Sequence, residues 1–214
     1  NKIDDAALAA GMADAALAHY KPWLDNLRME KPYQLDDKLE QLFLEKSQTA
    51  AGAFNRLFDE TMADLRFDID GEMLTLEPTL NLMQSPDEAR RKTGAEALAK
   101  TFKANVRLFT LITNTLAKDK DISDRWRGFK DIADARHLSN RVEPEVVAAL
   151  VEAVRAAYPR LSHRYYRMKA KWLGKDKLMH WDRNAPLPQG DTREIPWSEA
   201  KDMVLSAYGE FDPA

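Results

Sequence analysis

The residues with the strongest chemical pattern lie in the segment 155–177, which holds eight Lys or Arg residues and one acidic residue, Asp176. Basic side chains recur there at helical spacing, beside a stripe of apolar side chains. The basic positions are Arg160, Arg164, Arg167, Lys171 and Lys175, and the apolar positions are Tyr158, Leu161, Tyr165, Met168 and Trp172. Such a cationic surface can bind a peptide carboxylate or a phosphate backbone. The alternative is an amphipathic helix whose basic side faces water.

A second polar cluster, Arg136-His137-Leu138-Ser139-Asn140, ends another predicted helix. Residues of these types often cap the last carbonyl groups of a helix. A role in contacting substrate is the alternative, because binding residues are frequent where helices meet loops. From the two clusters we select as candidate substrate-binding residues Arg136, His137, Asn140, Arg164 and Tyr165.

A third polar group, Asp182 and Arg183, opens an extended run that contains Pro186 and Pro188. The two side chains can pair with each other or bond neighbouring backbone groups. We favour a structural role for both residues.

Signatures of catalysis are absent from the sequence. A zinc site of the His-Glu-x-x-His type needs two imidazoles one helical turn apart with a Glu between them. The four histidines are instead followed by Tyr20, Leu138, Arg164 and Trp181. There is no P-loop, no dinucleotide-binding turn, no Gly-x-Ser-x-Gly motif and no Cys. We predict no catalytic residue, no metal ligand and no bound cofactor within this chain.

Composition indicates an ordinary soluble globular chain of 214 residues, 44% hydrophobic and 31% charged. The net charge of −3 does not favour binding to nucleic acid, and no apolar run reaches the roughly 20 residues that span a bilayer. We expect neither nucleic acid nor membrane among the partners. The start at Asn1 without an initiator Met and the end at Ala214 lead us to expect an excised fragment.

Apolar residues recur mostly at helical spacing, so the predicted fold is mainly α and multi-helical. The segment Ser85-Pro86-Asp87-Glu88 predicts a helix start with Ser85 as N-cap. We expect that helix to run to about Lys118 and to be broken by Asp119-Lys120-Asp121. The other predicted helices cover 4–30 with a kink at Pro22, 32–65 with a joint near Ser47, 124–138, 144–173 with a kink at Pro159, and 197–208 up to Gly209, and the segment 179–196 is expected to be irregular.

One short β-hairpin is predicted at about 65–76. Leu65 to Ile69 alternates apolar and polar residues, and Asp70-Gly71 separates it from a second apolar run. An Asp-Gly pair suits a type I′ turn, in which both central residues take positive φ. We expect this to be the only sheet.

Several stretches, in order along nearly the whole chain, resemble the oligoendopeptidase F family of zinc metallopeptidases, relatives of the thimet-type oligopeptidases. The most distinctive are Arg136-His137-Leu138-Ser139-Asn140, His163-Arg164-Tyr165-Tyr166-x-x-Lys169-Ala170 and Trp181-Asp182-Arg183-Asn184-Ala185-Pro186. The others are Gly52 to Glu60, the hairpin with Leu80-Asn81-Leu82-Met83 and Pro86-Asp87-x-x-Arg90, Asn114 to Asp119, and Arg125-Trp126-Arg127-Gly128-Phe129.

The resemblance implies a helical, two-lobed shell around an internal channel, in a cytoplasmic enzyme that uses zinc to cleave short peptides. Residues 1–115 would form the N-terminal helical lobe with the hairpin, and residues 116–214 the helical beginning of the catalytic region. The family's His-Glu-x-x-His motif and later Glu ligand would lie downstream. We therefore expect zinc in the full-length protein, none bound by this part, and no activity from this part alone. The implied partners are short peptide substrates and the remainder of the same chain.

A different class of function stays open. The aromatic and basic residues of the segment 155–177 also suit a helical binding module for nucleic acid or an acidic partner. The overall acidity and the lack of a nucleic-acid-binding motif count against this alternative.

Overall fold

The computed structural model describes residues 3–188 and 193–212, and the fold is mainly helical with one hairpin, as predicted. Residues 189–192 of the segment expected to be irregular lie outside the described residues. The helices are α1 (Asp5–Gly11), α2 (Ala15–Ala18), α3 (Lys21–Arg28), α4 (Asp37–Ser47), α5 (Ala51–Asp64), α6 (Leu76–Leu82), α7 (Glu88–Ala104), α8 (Val106–Arg127), α9 (Asp134–Asn140), α10 (Pro144–Ala157), α11 (Ser162–Trp172) and α12 (Trp197–Phe211).

Aspartate side chains fix several helix starts. Asp4, Asp14, Asp36 and Asp87 each accept hydrogen bonds from backbone amides in the first turn of the helix that follows. The prediction that Ser85 is the N-cap of α7 is therefore wrong by two residues. The Ser85 hydroxyl instead accepts a hydrogen bond from the Asp87 amide at 3.2 Å, which leads the chain into the cap.

The boundaries around α8 differ from the sequence predictions. The helix expected to reach Lys118 is interrupted at Asn105, whose side chain donates to the carbonyl of Thr101 at 3.0 Å. The break predicted at Asp119-Lys120-Asp121 is also wrong, because α8 continues to Arg127. Ion pairs within the helix engage Asp121 and Asp124, namely Lys118–Asp121 at 2.6 Å, Arg125–Asp121 at 3.5 Å and Lys120–Asp124.

The prediction of one helix over 124–138 is also wrong, because α8 ends at Arg127 and α9 begins only at Asp134. Gly128 adopts a left-handed conformation with φ of 81°, which ends α8. A turn follows, in which the Asp134 carboxylate accepts hydrogen bonds from the amides of Lys130 and Asp131 at 3.0 and 2.8 Å. A new short helix, α9, then begins at Asp134.

The predicted hairpin is confirmed. The strands β1 (Phe67–Ile69) and β2 (Glu72–Leu74) pair antiparallel, with Asp70 and Gly71 at φ of 55° and 93° in the turn. The two strands form the single sheet within residues 3–188 and 193–212. The short helix α6, which the sequence analysis did not predict, follows directly and packs closely on α7 at Gly94, where an added Cβ would lie 3.0 Å from Leu82 Cβ.

The core between these elements is small and aromatic. Phe67 of β1 is fully buried, with its ring centroid 5.6 Å from that of Phe102 on α7. Phe109 of α8 packs against both Phe102 and Phe58, each at a centroid distance of 6.0 Å. These contacts hold the hairpin, α5, α7 and α8 together.

The C-terminal third follows the predictions closely. The helix α10 begins with Pro144, and α11 ends before Gly174, whose φ is 67°. The kink predicted at Pro159 is instead a break, because a turn at residues 158–161 separates the two helices. The last helix continues two residues beyond Gly209, to Phe211. Among the described residues, no helix is long and apolar enough to cross a membrane. The division at residue 115 stays a prediction, and α8 extends to both sides of it.

Candidate functional site

A buried ion pair joins α7 to the segment that follows α11. Arg91 Nη2 donates to Asp182 Oδ1 at 2.8 Å, and the side chains are 3% and 0% exposed. The Nη1 atom of Arg91 donates to the carbonyls of Ser85 and Pro86 at 2.8 and 2.9 Å. A buried charge pair of this kind is costly to form but strongly destabilising to break, because the remaining charge is left without compensation.

The other carboxylate oxygen of Asp182 also has donors. It accepts from Lys175 Nζ at 2.7 Å and from the Met179 amide at 2.9 Å. Burial acts to raise the pKa of Asp182, but the hydrogen bonds from Arg91, Lys175 and Met179 outweigh burial, so this pKa lies below its usual value. Asp182 is therefore ionised at neutral pH and anchors the segment after α11 to α7.

Lys175 extends this cluster to the first turn of α7. Its ammonium group also pairs with the Glu88 carboxylate, which accepts a further hydrogen bond from Trp181 Nε1 at 3.3 Å. Burial acts to lower the pKa of Lys175, and the bonds to Asp182 and Glu88 reverse that effect and raise it. The ammonium of Lys92 lies 5.8 Å from the centre of the Trp181 ring and adds a cation–π contact.

Lys169 supplies a third cation, from α11. Its side chain is buried, and Nζ donates to the carbonyl of Arg183 at 2.7 Å. Burial lowers the pKa of Lys169, and repulsion from Arg91 lowers it further, while attraction to Asp182 opposes both effects. We call Glu88, Arg91, Lys169, Lys175 and Asp182 the ionic cluster. It fixes residues 179–185 against α7 and α11.

An open groove of about 540 Å³ lies beside the ionic cluster, between α11 and residues 176–183. Its size falls in the range of about 300–1,000 Å³ that is usual for small-ligand sites. The lining residues are His163, Tyr166, Arg167, Ala170, Asp176, Lys177, Leu178, Met179, His180 and Arg183. Basic side chains therefore meet an apolar floor in this groove.

The predicted site residues of α11 lie next to this groove in sequence but do not line it. Arg164 and Tyr165 are exposed, and the Tyr165 ring packs edge-on against Trp172 at a centroid distance of 6.4 Å. Their neighbours His163, Tyr166 and Arg167 face the groove instead. These three groove residues of α11 thus lie one or two positions away from Arg164 or Tyr165.

The predicted site residues of α9 lie elsewhere. Arg136 and Asn140 are exposed and His137 is half-buried. A smaller cavity of about 360 Å³ borders α9 but is lined there by Ala135, Leu138 and Ser139. Within the described ranges, no hydrogen bond or ion pair connects the α9 group with Arg164 or Tyr165. A substrate role for these five residues stays a prediction.

The wall of that smaller cavity is held by a second ion pair. Arg127 donates to both carboxylate oxygens of Glu40 at 2.7 and 2.9 Å, and to the Tyr33 carbonyl at 3.2 Å. The Leu35 amide donates to Glu40 at 2.9 Å. The Arg127 hydrogen bonds lower the pKa of Glu40 to about 2, against the opposing effect of burial. The bidentate geometry ties the start of α4 to the end of α8.

Most of the ionic cluster was not predicted from the sequence. Asp182 and Arg183 do not pair with each other, because Asp182 faces Arg91 and Lys175 while the Arg183 carbonyl accepts from Lys169. The structural role favoured for this pair is consistent with that geometry. No local sequence pattern indicated a role for Arg91, because its partner Asp182 lies 91 residues away.

A zinc ion does not fit the residues described. No group of three or more His, Cys, Asp or Glu residues in the described part of the chain is placed to hold a metal ion. The carboxylates nearest to the groove are already bonded to Arg91 and Lys175, or stand alone as Asp176 does. No step of a metal-dependent reaction can be built from these side chains.

Comparison with known proteins agrees with the family suggested by the motifs. An N-terminal family model described as Oligopeptidase F matches residues 1–67. Oligopeptidase PepF of Bacillus subtilis is 27% identical over 193 residues, which cover 87% of this chain and 28% of the relative. Group B oligopeptidase PepB of Streptococcus agalactiae is 27% identical over 205 residues, covering 91% of this chain and 33% of the relative.

Solved structures share the described fold. The crystal structure of oligoendopeptidase-F from Enterococcus faecium superposes with a TM-score of 0.75 at 20% identity, over 97% of this chain and 40% of that one. The described fold therefore matches part of that structure. These matches support the oligoendopeptidase F family, to whose members the chain is similar at 27% identity. It spans about a third of the length of the curated relatives that it matches.

Proposed function

We propose that this chain is the N-terminal part of a zinc-dependent oligoendopeptidase that hydrolyses short peptides. The observation that carries the proposal is that two oligopeptidases match 87% and 91% of the chain. The ordered motifs in the sequence indicate the same family. In this proposal the zinc ligands and the catalytic Glu belong to a further region of polypeptide. The residues of this chain provide positioning and size exclusion along the substrate channel. The resemblance also leads us to propose a cytoplasmic location.

The exposed surface supports a large partner region. The chain exposes 16608 Å² to solvent, whereas a compact monomer of 24.4 kDa exposes about 10,000 Å² by the usual size scaling. Large apolar side chains are exposed on α10 and α12. The exposed residues include Val146, Leu150, Val151 and Val154 on α10, and Trp197, Val204, Leu205, Tyr208 and Phe211 on α12. Apolar patches of this extent are usually covered by other protein. We propose that the remainder of the same polypeptide covers them.

The structure gives less support to the alternative, a nucleic-acid-binding module built on the segment 155–177. Two of its basic residues are engaged internally, because Lys169 bonds the Arg183 carbonyl and Lys175 bonds Asp182 and Glu88. These two ammonium groups cannot also bind phosphates without breaking the ionic cluster. The basic stripe defined from the sequence therefore loses its last member, Lys175, to the ionic cluster in the folded chain.

An activity assay tests the proposed function. We expect the polypeptide encoded by the complete gene to cleave a quenched fluorescent peptide, and a chelator to abolish cleavage. The 214-residue chain alone should show no cleavage. Zinc-dependent cleavage by the chain alone would contradict the placement of the site elsewhere. Absence of peptidase activity in the complete polypeptide would contradict the proposed function itself.

A further inference from the structure

We propose that the groove between α11 and residues 176–183 binds the C-terminal carboxylate of a short peptide. The proposal deepens the proposed function, on which it rests for the choice of a peptide as ligand. Its physical basis is the position of the groove beside the ionic cluster, the charges on its wall and the apolar character of its floor.

Basic side chains on the groove wall provide positive charge for a ligand. The groove is lined by Arg167, Lys177 and Arg183 and by a single carboxylate, Asp176. Within residues 3–188 and 193–212, the three basic side chains take part in none of the hydrogen bonds and ion pairs, in contrast to Lys169 and Lys175 close by. Three cations facing one anion leave an excess of positive charge that a ligand carboxylate can neutralise. Guanidinium groups suit this task because their paired N–H donors match the two carboxylate oxygens.

The floor of the groove is largely apolar. Tyr166, Ala170, Leu178 and Met179 supply apolar or aromatic surface beside the basic residues. A free phosphate ion would gain nothing from this surface, whereas the last side chain of a peptide would be removed from water there. His163 and His180 add ring nitrogens that can bond peptide backbone groups. The combination favours an anion that carries an apolar group, as a peptide C-terminus does.

Hydrogen bonds within the chain fix the backbone of the groove wall without a ligand. Arg183 directly follows Asp182, which is fixed by Arg91 and Lys175, and the carbonyl of Arg183 is fixed by Lys169. The backbone under this guanidinium is thus bonded on both sides. Binding then costs little ordering of the chain, which preserves affinity.

Binding of a labelled pentapeptide to the chain tests the proposal. Fluorescence anisotropy would compare an N-terminally labelled peptide of Ala and Leu with its C-terminal amide, which lacks the negative charge. We expect the free carboxylate form to bind about tenfold more tightly than the amide. In the double variant Arg167→Gln/Arg183→Gln this difference should disappear, with the affinity for the amide unchanged.

The variant Lys171→Gln is the matched control, because it removes an exposed charge from the same helix outside the groove. It should retain the tenfold preference. Equal binding of the free and amidated peptides, no binding of either, or an equal loss in the control would overturn the proposal. Tighter binding of inorganic phosphate or of short single-stranded DNA than of the peptide would overturn it as well.

The two proposals fail separately. Carboxylate-dependent binding by the chain, without peptidase activity in the complete polypeptide, would remove the proposed function and leave the groove assignment in place. Cleavage by the complete polypeptide, with no preference for the free carboxylate, would do the reverse.

Discussion

Asp182 receives hydrogen bonds from three separate donors, on α7, after α11 and within its own turn. The same hydrogen bonds therefore hold the Asp182 side chain in place and favour its ionised form. Two cations, Arg91 and Lys175, approach a carboxylate that has no contact with solvent. Removing this one negative charge leaves both of them uncompensated.

We predict that Asp182→Asn lowers the free energy of unfolding by about 3 kcal/mol, because it retains the size of the side chain but leaves buried Arg91 without its counter-charge. Urea denaturation followed by circular dichroism measures the change. Asp176→Asn, an exposed carboxylate in the same segment, is the control and should change stability by less than about 0.5 kcal/mol. Equal effects of the two substitutions would show that the ion pair does not anchor the segment.

The Glu40–Arg127 pair has a predictable dependence on pH. The pKa of Glu40 is about 2 in the folded chain against an ordinary value of 4.5, so the pair stabilises the fold above pH 4.5. The contribution is lost as the pH falls from 4.5 towards 2. With allowance for the solvent screening of a partly exposed pair, it amounts to about 1 kcal/mol.

Glu40→Gln is therefore expected to cost about 1 kcal/mol at pH 6 and nearly nothing at pH 2. Denaturant unfolding of both proteins across this range measures the difference. Glu45→Gln, which removes an exposed carboxylate from the same helix without breaking an ion pair with a basic side chain, is expected to have little effect at either pH. A cost for Glu40→Gln that does not change with pH would contradict the assignment.

Elements in this chain differ in how locally they are specified. The hairpin depends on two adjacent residues in left-handed backbone, Asp70 and Gly71, and on a hydrogen bond from the Gly71 amide to the Asp68 carboxylate at 2.9 Å. All of these determinants lie within four consecutive residues. The end of α8 depends instead on Gly128 and on a balance of charges along the preceding turns.

We predict that Gly71→Ala destabilises the chain by about 1 kcal/mol, because a side chain at φ of 93° is strained although no atom lies within 4 Å of the added Cβ. Gly11→Ala is the matched control. Gly11 also has open space around it but lies in right-handed helix, so the change should be neutral or slightly stabilising. Thermal unfolding of both variants measures the contrast, and a loss of similar size in both would refute the backbone explanation.

These differences explain which parts of the structure could be predicted. The Asp-Gly turn, the Pro144 helix start and the stop at Gly174 depend on local chemistry and were predicted. The continuation of α8 through Asp119-Lys120-Asp121 was not, because pairing with neighbouring lysines outweighs the effect of the acids. The groove face on α11 requires the rotation of the helix relative to its neighbours, which helical spacing alone leaves open. The Arg91–Asp182 pair joins residues that are 91 positions apart, so no local sequence pattern indicates it.

At the scale of the whole molecule, the dominant feature is apolar surface without cover. Trp197 and Phe211 at the two ends of α12 are 80% and 90% exposed. Large apolar side chains with such exposure, repeated along one helix, indicate a surface that is buried in the working protein. The similarity to two oligopeptidases suggests the class of partner that we propose, the rest of an oligopeptidase chain.

Hydrogen exchange tests this expectation without an activity assay. We predict that the amides of α12 exchange at least about tenfold more slowly in the complete polypeptide than in the 214-residue chain, because packing suppresses local opening. The amides of α7, which already contacts the hairpin, α6 and residues 180–182, should change little. Unchanged exchange in α12 would exclude a covering role for the remainder of the polypeptide.

The two long-range ion pairs also have a consequence for the order of folding. Arg91 and Asp182 are 91 residues apart, and Arg127 and Glu40 are 87 apart. Closing such long loops is entropically costly, so these contacts are expected to form after the local hairpin and helices. During synthesis, Arg91 must wait for Asp182 to leave the ribosome. Substitutions in the ionic cluster should then accelerate unfolding more than they slow folding.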